Sequence, residues 1–342
     1  MDLNQLNSAF TLFLSLLVEA IPFLILGVLF SGLLLFFVDE RKLIQILPKN
    51  PLLGAFAGSC VGFLFPVCEC GNVPVARRLL MQGAPAPVAI GFLLAAPTIN
   101  PIVFWSTWVA FRDQPEIVFL RIGLSLAIAT IIGCVFSAQA DLRPLLQPSV
   151  ARAMPVKREN EDPGQGSISP LLQSGTFLLG QVGQPIRMDT TELQASMAGA
   201  TALRKPIPDR LLLLLENTVQ ELRELGGVLI LGSAIAALIQ VFVPREVVLG
   251  LGQGPVTSIV AMMLLAGLVS ICSTVDSFFA LSFASAFTSG SLLAFLVFGP
   301  MIDLKGLGLM LSIFQTRAVI YLFALAAQLT FLFTLFINLH VS

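Results

Sequence analysis

The stretch over residues 65–105, FPVCECGNVPVARRLLMQGAPAPVAIGFLLAAPTINPIVFW, is mostly apolar yet carries Pro66, Pro74, Pro85, Pro87, Pro97 and Pro101. Each proline removes a backbone donor, crowds the preceding turn and biases the residue before it away from helix. No single regular helix can therefore cross these residues, and Pro74, Pro97 and Pro101, with Pro300 further on, are read as its helix-breaking positions. If such a segment lies at membrane depth, its freed backbone groups must be met by protein or by a water-filled cavity.

The pattern occurs twice. Pro51 and Pro255 are 204 residues apart, as are Cys68 and Cys272. Pro97 and Pro300 are 203 apart, and so are Asn100 and Asp303, each of which follows its proline by three residues. Upstream, Glu19 and Glu224 share an offset of 205 with Ile25-Leu26-Gly27 and Ile230-Leu231-Gly232, and with Phe37-Val38 and Phe242-Val243. Correspondences in one order, drifting by two residues, are the mark of an internal duplication.

Only 11% of the 342 residues are charged and 56% are hydrophobic, against roughly 25% charged in a soluble domain. Apolar blocks fall at 10–38, 52–67, 84–111 and 117–138, then at 211–243, 256–275, 277–300 and 306–338. A spanning helix needs about 20 apolar residues. The expectation is an all-α polytopic membrane protein with about eight transmembrane helices, two pseudo-repeats of four, and Pro/Gly-broken helices at the centre. The first repeat is 1–138 and the second 211–342. Residues 139–210, rich in Pro, Gln, Gly and charge, read as a flexible linker. Its Lys and Arg residues place it in the cytoplasm, together with Arg77 and Arg78. The net charge of −1 gives no field for nucleic acid. The first apolar block is too long for a signal-peptide core and is expected to stay in the mature protein.

Interrupted apolar segments in corresponding halves point to a transporter's central site. Ionisable residues inside apolar blocks usually face a cavity or a partner, which singles out Glu19, Glu224, Asp276 and Asp303. Desolvation favours the protonated carboxylate, the property a proton-coupling group needs. Glu19 and Glu224, at corresponding positions, are the proton-coupling candidates. Asn100 and Asp303 can bond backbone groups freed at the breaks, or line a solute path. Arg121 and Arg317 open the last helix of their halves and read as snorkelling anchors.

Cys68 and Cys70 would point apart on a helix but can converge in the irregular stretch set up by Pro66 and Gly71. Thiolates suit soft ions such as trivalent arsenic or Cu(I). Two ligands cannot close a tetrahedral site, so no resident metal is expected. Cys272 shares the reading through its correspondence with Cys68, whereas Cys60 and Cys134 read as packing. No phosphate-binding or dinucleotide-binding glycine loop is present; no cofactor is expected, and any energy source is an ion gradient or a separate subunit.

Cys68-Glu69-Cys70-Gly71-Asn72-Val73-Pro74-Val75-Ala76, Gly83-Ala84-Pro85, Phe92-Leu93-Leu94-Ala95-Ala96-Pro97-Thr98-Ile99-Asn100-Pro101 and Phe298-Gly299-Pro300-Met301-Ile302-Asp303 resemble the YraQ/ArsP-type predicted permeases of prokaryotes. The resemblance spans both halves and leaves out the linker. It implies an eight-helix inner-membrane permease, with thiols near the pore as soft-ligand contacts; relatives called ArsP are described as exporters of trivalent organoarsenicals.

The reading is thus a permease in the bacterial inner (plasma) membrane, not an enzyme, moving a small molecule or ion. A proton-coupled exporter of a trivalent arsenical or a similar soft species is its sharpest form. The solute site is expected from Cys68, Cys70, Asn72, Asn100, Cys272, Asp276 and Asp303. Beyond solute and lipid bilayer, a homo-oligomer is the partner the reading allows. The alternatives are a thiol-disulfide electron relay through Cys68 and Cys272, a permease for another small anion, and a membrane subunit that transports nothing alone.

Overall fold

The computed structural model describes residues 3–37, 48, 50–64, 69–138, 143–154, 177–179, 185–187, 207–242, 254–284 and 287–340. These are almost entirely helical. A long α1 (Leu3–Phe37) is followed by α2 (Pro51–Val61), α3 (Glu69–Met81), α4 (Ala86–Ile99), α5 (Pro101–Ala110), α6 (Pro115–Ser137) and the short α7 (Pro148–Ala153). The second half begins with another long helix, α8 (Ile207–Phe242). It continues with α9 (Pro255–Val269), α10 (Asp276–Leu281), α11 (Ser289–Met301), α12 (Leu304–Met310) and α13 (Thr316–His340). Between the halves, strands β1 (Phe177–Leu179) and β2 (Pro185–Arg187) pair antiparallel.

Among the described residues, six helical segments are long and apolar enough to cross a membrane: Leu6–Leu33, Ala86–Ala110, Pro115–Ser137, Leu214–Ile239, Ser289–Met310 and Thr316–His340. At 1.5 Å per residue, α2 reaches only about 16 Å and α9 about 22 Å, short of the ~30 Å hydrocarbon core. Among the described residues, the second apolar block of each half forms a helix shorter than a crossing needs, so six spanning-length helices stand beside two shorter apolar ones. This is a multi-pass membrane protein.

Two of the six spans, Ala86–Ala110 and Ser289–Met310, are mostly buried within the protein, while Leu6–Leu33 and Thr316–His340 leave most of their surface outward. The buried pair are the broken ones. The first divides at Asn100, whose backbone is extended (φ −66°, ψ 156°), into α4 and α5. The second divides at Ile302 and Asp303, both extended, into α11 and α12. Lipid cannot satisfy such breaks, so they sit where protein can.

The breaks do not fall at the prolines expected to make them. Pro74 lies inside α3, Pro97 inside α4 and Pro300 inside α11. A proline forfeits one hydrogen bond, and neighbouring groups in a packed bundle make that tolerable. Pro101 alone behaves as expected: it occupies the first turn of α5, where its missing N–H is no loss, and it holds Asn100 extended. The second break has no such proline, since Leu304 follows Asp303.

The start of the expected flexible linker is tied down. Leu146 and Val150 are fully buried. Gln147 N donates to Ile313 O at 2.8 Å and Gln315 N to Leu145 O at 2.8 Å, which fastens residues 145–147 to the turn after α12. Apolar side chains at Leu145, Leu146 and Val150 pack this segment against the bundle.

Candidate functional site

The two halves meet through a pair of crossings. The second half-helix of each broken span packs on the short helix that follows the cysteine region of the other half: α5 on α10, and α12 on α3. Each crossing holds buried charge.

At the α5–α10 crossing, Arg121 of α6 reaches Asp276 with two hydrogen bonds, Nη2 to Oδ2 at 2.7 Å and Nη1 to Oδ1 at 3.1 Å. Both side chains are almost fully buried, at 1% and 3% exposure. Arg121 Nη1 also donates to Thr107 Oγ1 on α5 (2.8 Å) and Ser277 Oγ on α10 (2.9 Å). Those two hydroxyls lie 3.0 Å apart, and Ser277 Oγ donates on to Asp276 Oδ1. A planar guanidinium with fixed donors suits this bidentate arrangement. Arg121 is therefore not a snorkelling anchor: with no route to water at 1% exposure, its charge is met by Asp276 instead.

At the α3–α12 crossing the pairing is looser. Lys305 and Asp303 are each 2% exposed, and Nζ lies 3.9 Å from Oδ2, well beyond a close charge-assisted contact of about 2.8 Å. Asp303 Oδ2 accepts no hydrogen bond among the described residues. Glu69 and Cys70 of α3, and the half-buried Glu19 of α1, lie within electrostatic reach of the ammonium. Glu69 and Cys70 are themselves buried.

Asn100 and Asp303 do one job in common. Asn100 Oδ1 accepts from Val103 N (2.9 Å) and Asp303 Oδ1 from Gly306 N (2.6 Å), so each caps the half-helix after its break. An Asn or Asp at this position supplies the acceptor that the first turn lacks. The second break is braced further by Ser270, which ends α9 in the left-handed conformation (φ 45°, ψ 44°). Its hydroxyl accepts from Leu304 N at 3.2 Å. A serine held there costs about 1–3 kcal/mol, so the packing around α12 overdetermines it.

The other candidates are distributed around these crossings. Cys70 lies in the first turn of α3, and Cys272 in the turn before α10, its Sγ 3.4 Å from Thr274 Oγ1. The two thiols thus belong to different crossings. Cys60, Cys70, Cys134 and Cys272 form no disulfide, and Cys68 lies outside the described residues. Asn72 Nδ2 donates to Leu93 O at 2.6 Å and ties α3 to α4.

The paired glutamates part company. Glu19 is half-buried near Lys305, whereas the Glu224 side chain is 44% exposed and faces Arg77, 3.4 Å away. One turn before it, Glu221 binds Arg78 and accepts from Ser31 Oγ of α1. Arg77 and Arg78 are thus buried ion-pair partners of α8 on helix α3, not charges in a loop. They tie the halves together.

Lys305, Glu69 and the pairing of Arg121 escaped the sequence reading. Lys305 stands two residues after Asp303 in an apolar context, GPMIDLKGLGLM, so the rule that singled out Asp303 reaches it as well. Block boundaries at 300 and 306 had put it in a connection. An apolar cavity of about 420 Å³ adjoins α12, walled by Phe298, Phe323 and Phe331, with Asp303 at its edge.

A multi-pass helical bundle whose interior is built from broken spans with buried charge at their crossings has the construction of a membrane permease. The chain belongs to the family of predicted permeases whose model, ArsP_1, matches residues 5–339. It is similar to the UPF0718 protein YcgR of Bacillus subtilis, 39% identical over 93% of this chain and 92% of the relative. It is also 29% identical to a Streptococcus mutans protein whose name proposes a subunit of a two-component membrane permease complex, over 96% of this chain and 94% of that one. No solved structure matches.

Proposed function

We propose that the chain is an inner-membrane permease that passes a small soft solute, such as a trivalent organoarsenical, at the meeting of the two broken spans, driven by the proton gradient. The observation that carries this reading is the burial of Lys305, Asp303, Glu69 and Cys70 at one crossing. Charged groups are expensive at membrane depth and are kept where they face a path or a partner. Cys70 and Cys272 supply soft ligands, joined by Cys68 in the same motif. Asn72, Asn100, Asp276 and Asp303 shape the path, and Glu19 and Glu224 are the proton carriers. Two pseudo-repeats, 1–138 and 211–342, move against each other around a linker held on the cytoplasmic side.

The test is uptake into everted vesicles energised with a proton gradient, comparing methylarsenite, inorganic arsenite and a sulfur oxyanion. Gradient-dependent accumulation of methylarsenite that is lost in Cys70→Ser and Cys68→Ser is the expected outcome. Accumulation of none of the three removes the arsenical assignment.

A second reading is favoured by the Streptococcus relative's name: the chain is the membrane subunit of a two-component permease. It predicts vesicle transport that vanishes when this chain is purified and reconstituted alone.

A further inference from the structure

We propose that Asp303 and Lys305 form a cation-exchange site, in which the Lys305 ammonium is a built-in cation that a monovalent cation displaces. The proposal rests on the permease reading and adds to it a coupling ion and a coupling residue. The two crossings differ in the kind of cation they hold. Arg121 is fixed by two bonds to Asp276 and further bonds to Thr107 and Ser277, and a guanidinium does not give up its proton in a protein. Lys305 has a 3.9 Å contact with Asp303, and an ammonium whose proton is held by acidic neighbours can release it when another cation takes its place beside them, which a guanidinium cannot do.

The surroundings suit the exchange. Asp303 Oδ1 is committed to capping α12, whereas Oδ2 accepts no hydrogen bond among the described residues. The titratable groups facing Lys305 are Asp303 beside it, Glu69 and Cys70 from α3, and Glu19 from α1. From α8 it is Gly232 that approaches the Lys305 backbone. The charged groups facing Lys305 among the described residues are acidic, so a second cation entering the cluster meets ligands of the right sign, and the ammonium is its competitor. Two cations cannot share one buried carboxylate in a low dielectric.

The step balances as follows. The Asp303 carboxylate paired with the Lys305 ammonium, plus one monovalent cation, becomes Asp303 paired with that cation, plus neutral Lys305 and one proton. Only a nitrogen–proton bond breaks, and the proton passes to water on the side to which the site is open. One cation enters as one proton leaves, and no net charge is added to the buried cluster.

The purified full chain in weakly buffered detergent solution is mixed with sodium, potassium or thallium(I) salts while released protons are read with an indicator dye. Cation bound is measured in parallel by equilibrium dialysis with radiolabelled sodium and thallium(I). Wild type is expected to release one proton per cation bound. Lys305→Met is expected to bind the cation and release none. Lys305→Arg keeps the charge and the ion pair but cannot surrender its proton; it is expected to lose both binding and release by at least ten-fold. Asp303→Asn is expected to lose both as well while staying folded, because Asn100 caps α5 in the corresponding position. Absence of release from wild type with all three cations overturns the proposal, and so does Lys305→Arg behaving as wild type, which assigns the pair a structural role. Either result leaves the arsenical transport assay standing, so the two failures are distinguishable.

Discussion

The α5–α10 and α3–α12 crossings place corresponding elements of the two halves against each other and solve the problem of buried charge in opposite ways. The first uses a guanidinium with every close acceptor in reach: a carboxylate gripped at both oxygens, two hydroxyls and, at 3.5 Å, the Ser273 carbonyl. The second uses an ammonium 3.9 Å from a carboxylate oxygen that accepts no hydrogen bond among the described residues. Short bonds to several partners rigidify the first network, even though Arg121 Nε finds no partner among the described residues. The sparser second one leaves capacity for a ligand. The contrast assigns the first crossing to holding the halves together and the second to exchange.

The largest test of that contrast is removal of each cation. Arg121→Met strands Asp276 in the interior and is expected to cost about 3–5 kcal/mol, read as a fall in unfolding temperature in detergent. Arg121→Met with Asp276→Leu should recover most of it. Lys305→Met should cost distinctly less, since its contact is already long. Equal losses at the two sites would erase the distinction.

The next concerns how α1 and α8 approach their neighbours. A Cβ on Gly27 would lie 2.1 Å from Gly71 O of α3, whereas one on the corresponding Gly232 would meet Lys305 backbone atoms at 3.6 Å. Gly27→Ala forces the helices apart and should cost about 1–3 kcal/mol. Gly232→Ala should leave stability unchanged in the same thermal assay, and a reversal of that order would show that the halves pack differently from this description.

Smaller effects come from the caps. Asn100→Ala removes the acceptor for α5 and should cost about 1 kcal/mol, and Asp303→Ala should cost about 1 kcal/mol more than Asp303→Asn, which keeps the α12 cap and loses only the pair with Lys305. The smallest is at the surface end of the α3–α8 contact. Glu224→Gln loses a pair with a 44% exposed side chain, a change of at most about 1 kcal/mol. Glu221→Gln should cost more, because Glu221 and Arg78 are 13% and 3% exposed.

Much of this was legible in the sequence, and the reasons for the rest are specific. The spacing of apolar blocks gave the helical membrane class, and the short polar side chain three residues past Pro97 and Pro300 marked where each span divides. What periodicity could not supply was length on the folded chain: residues 52–67 and 256–275 read as spans, yet their helices stop at Val61 and Val269. Prolines were overweighted because a packed interior can satisfy a helix that contains one, as at Pro97 and Pro300. A lone arginine near a helix start, such as Arg121, reads as an anchor until the other half brings Asp276 to it, 155 residues away in sequence. Long-range pairing of this kind leaves no local trace. Lys305 does leave one: it stands two residues from Asp303 in the same apolar context.

The measurement that bears most directly on the whole account is flux by the chain alone. Purified protein is reconstituted into liposomes, a proton gradient is imposed, and methylarsenite movement is followed for wild type and Cys70→Ser. Gradient-driven movement by wild type with no other component present is expected, and its loss in Cys70→Ser. Movement that occurs in cell-derived vesicles but never with the purified chain would contradict it, and would make this protein one part of a permease rather than the permease.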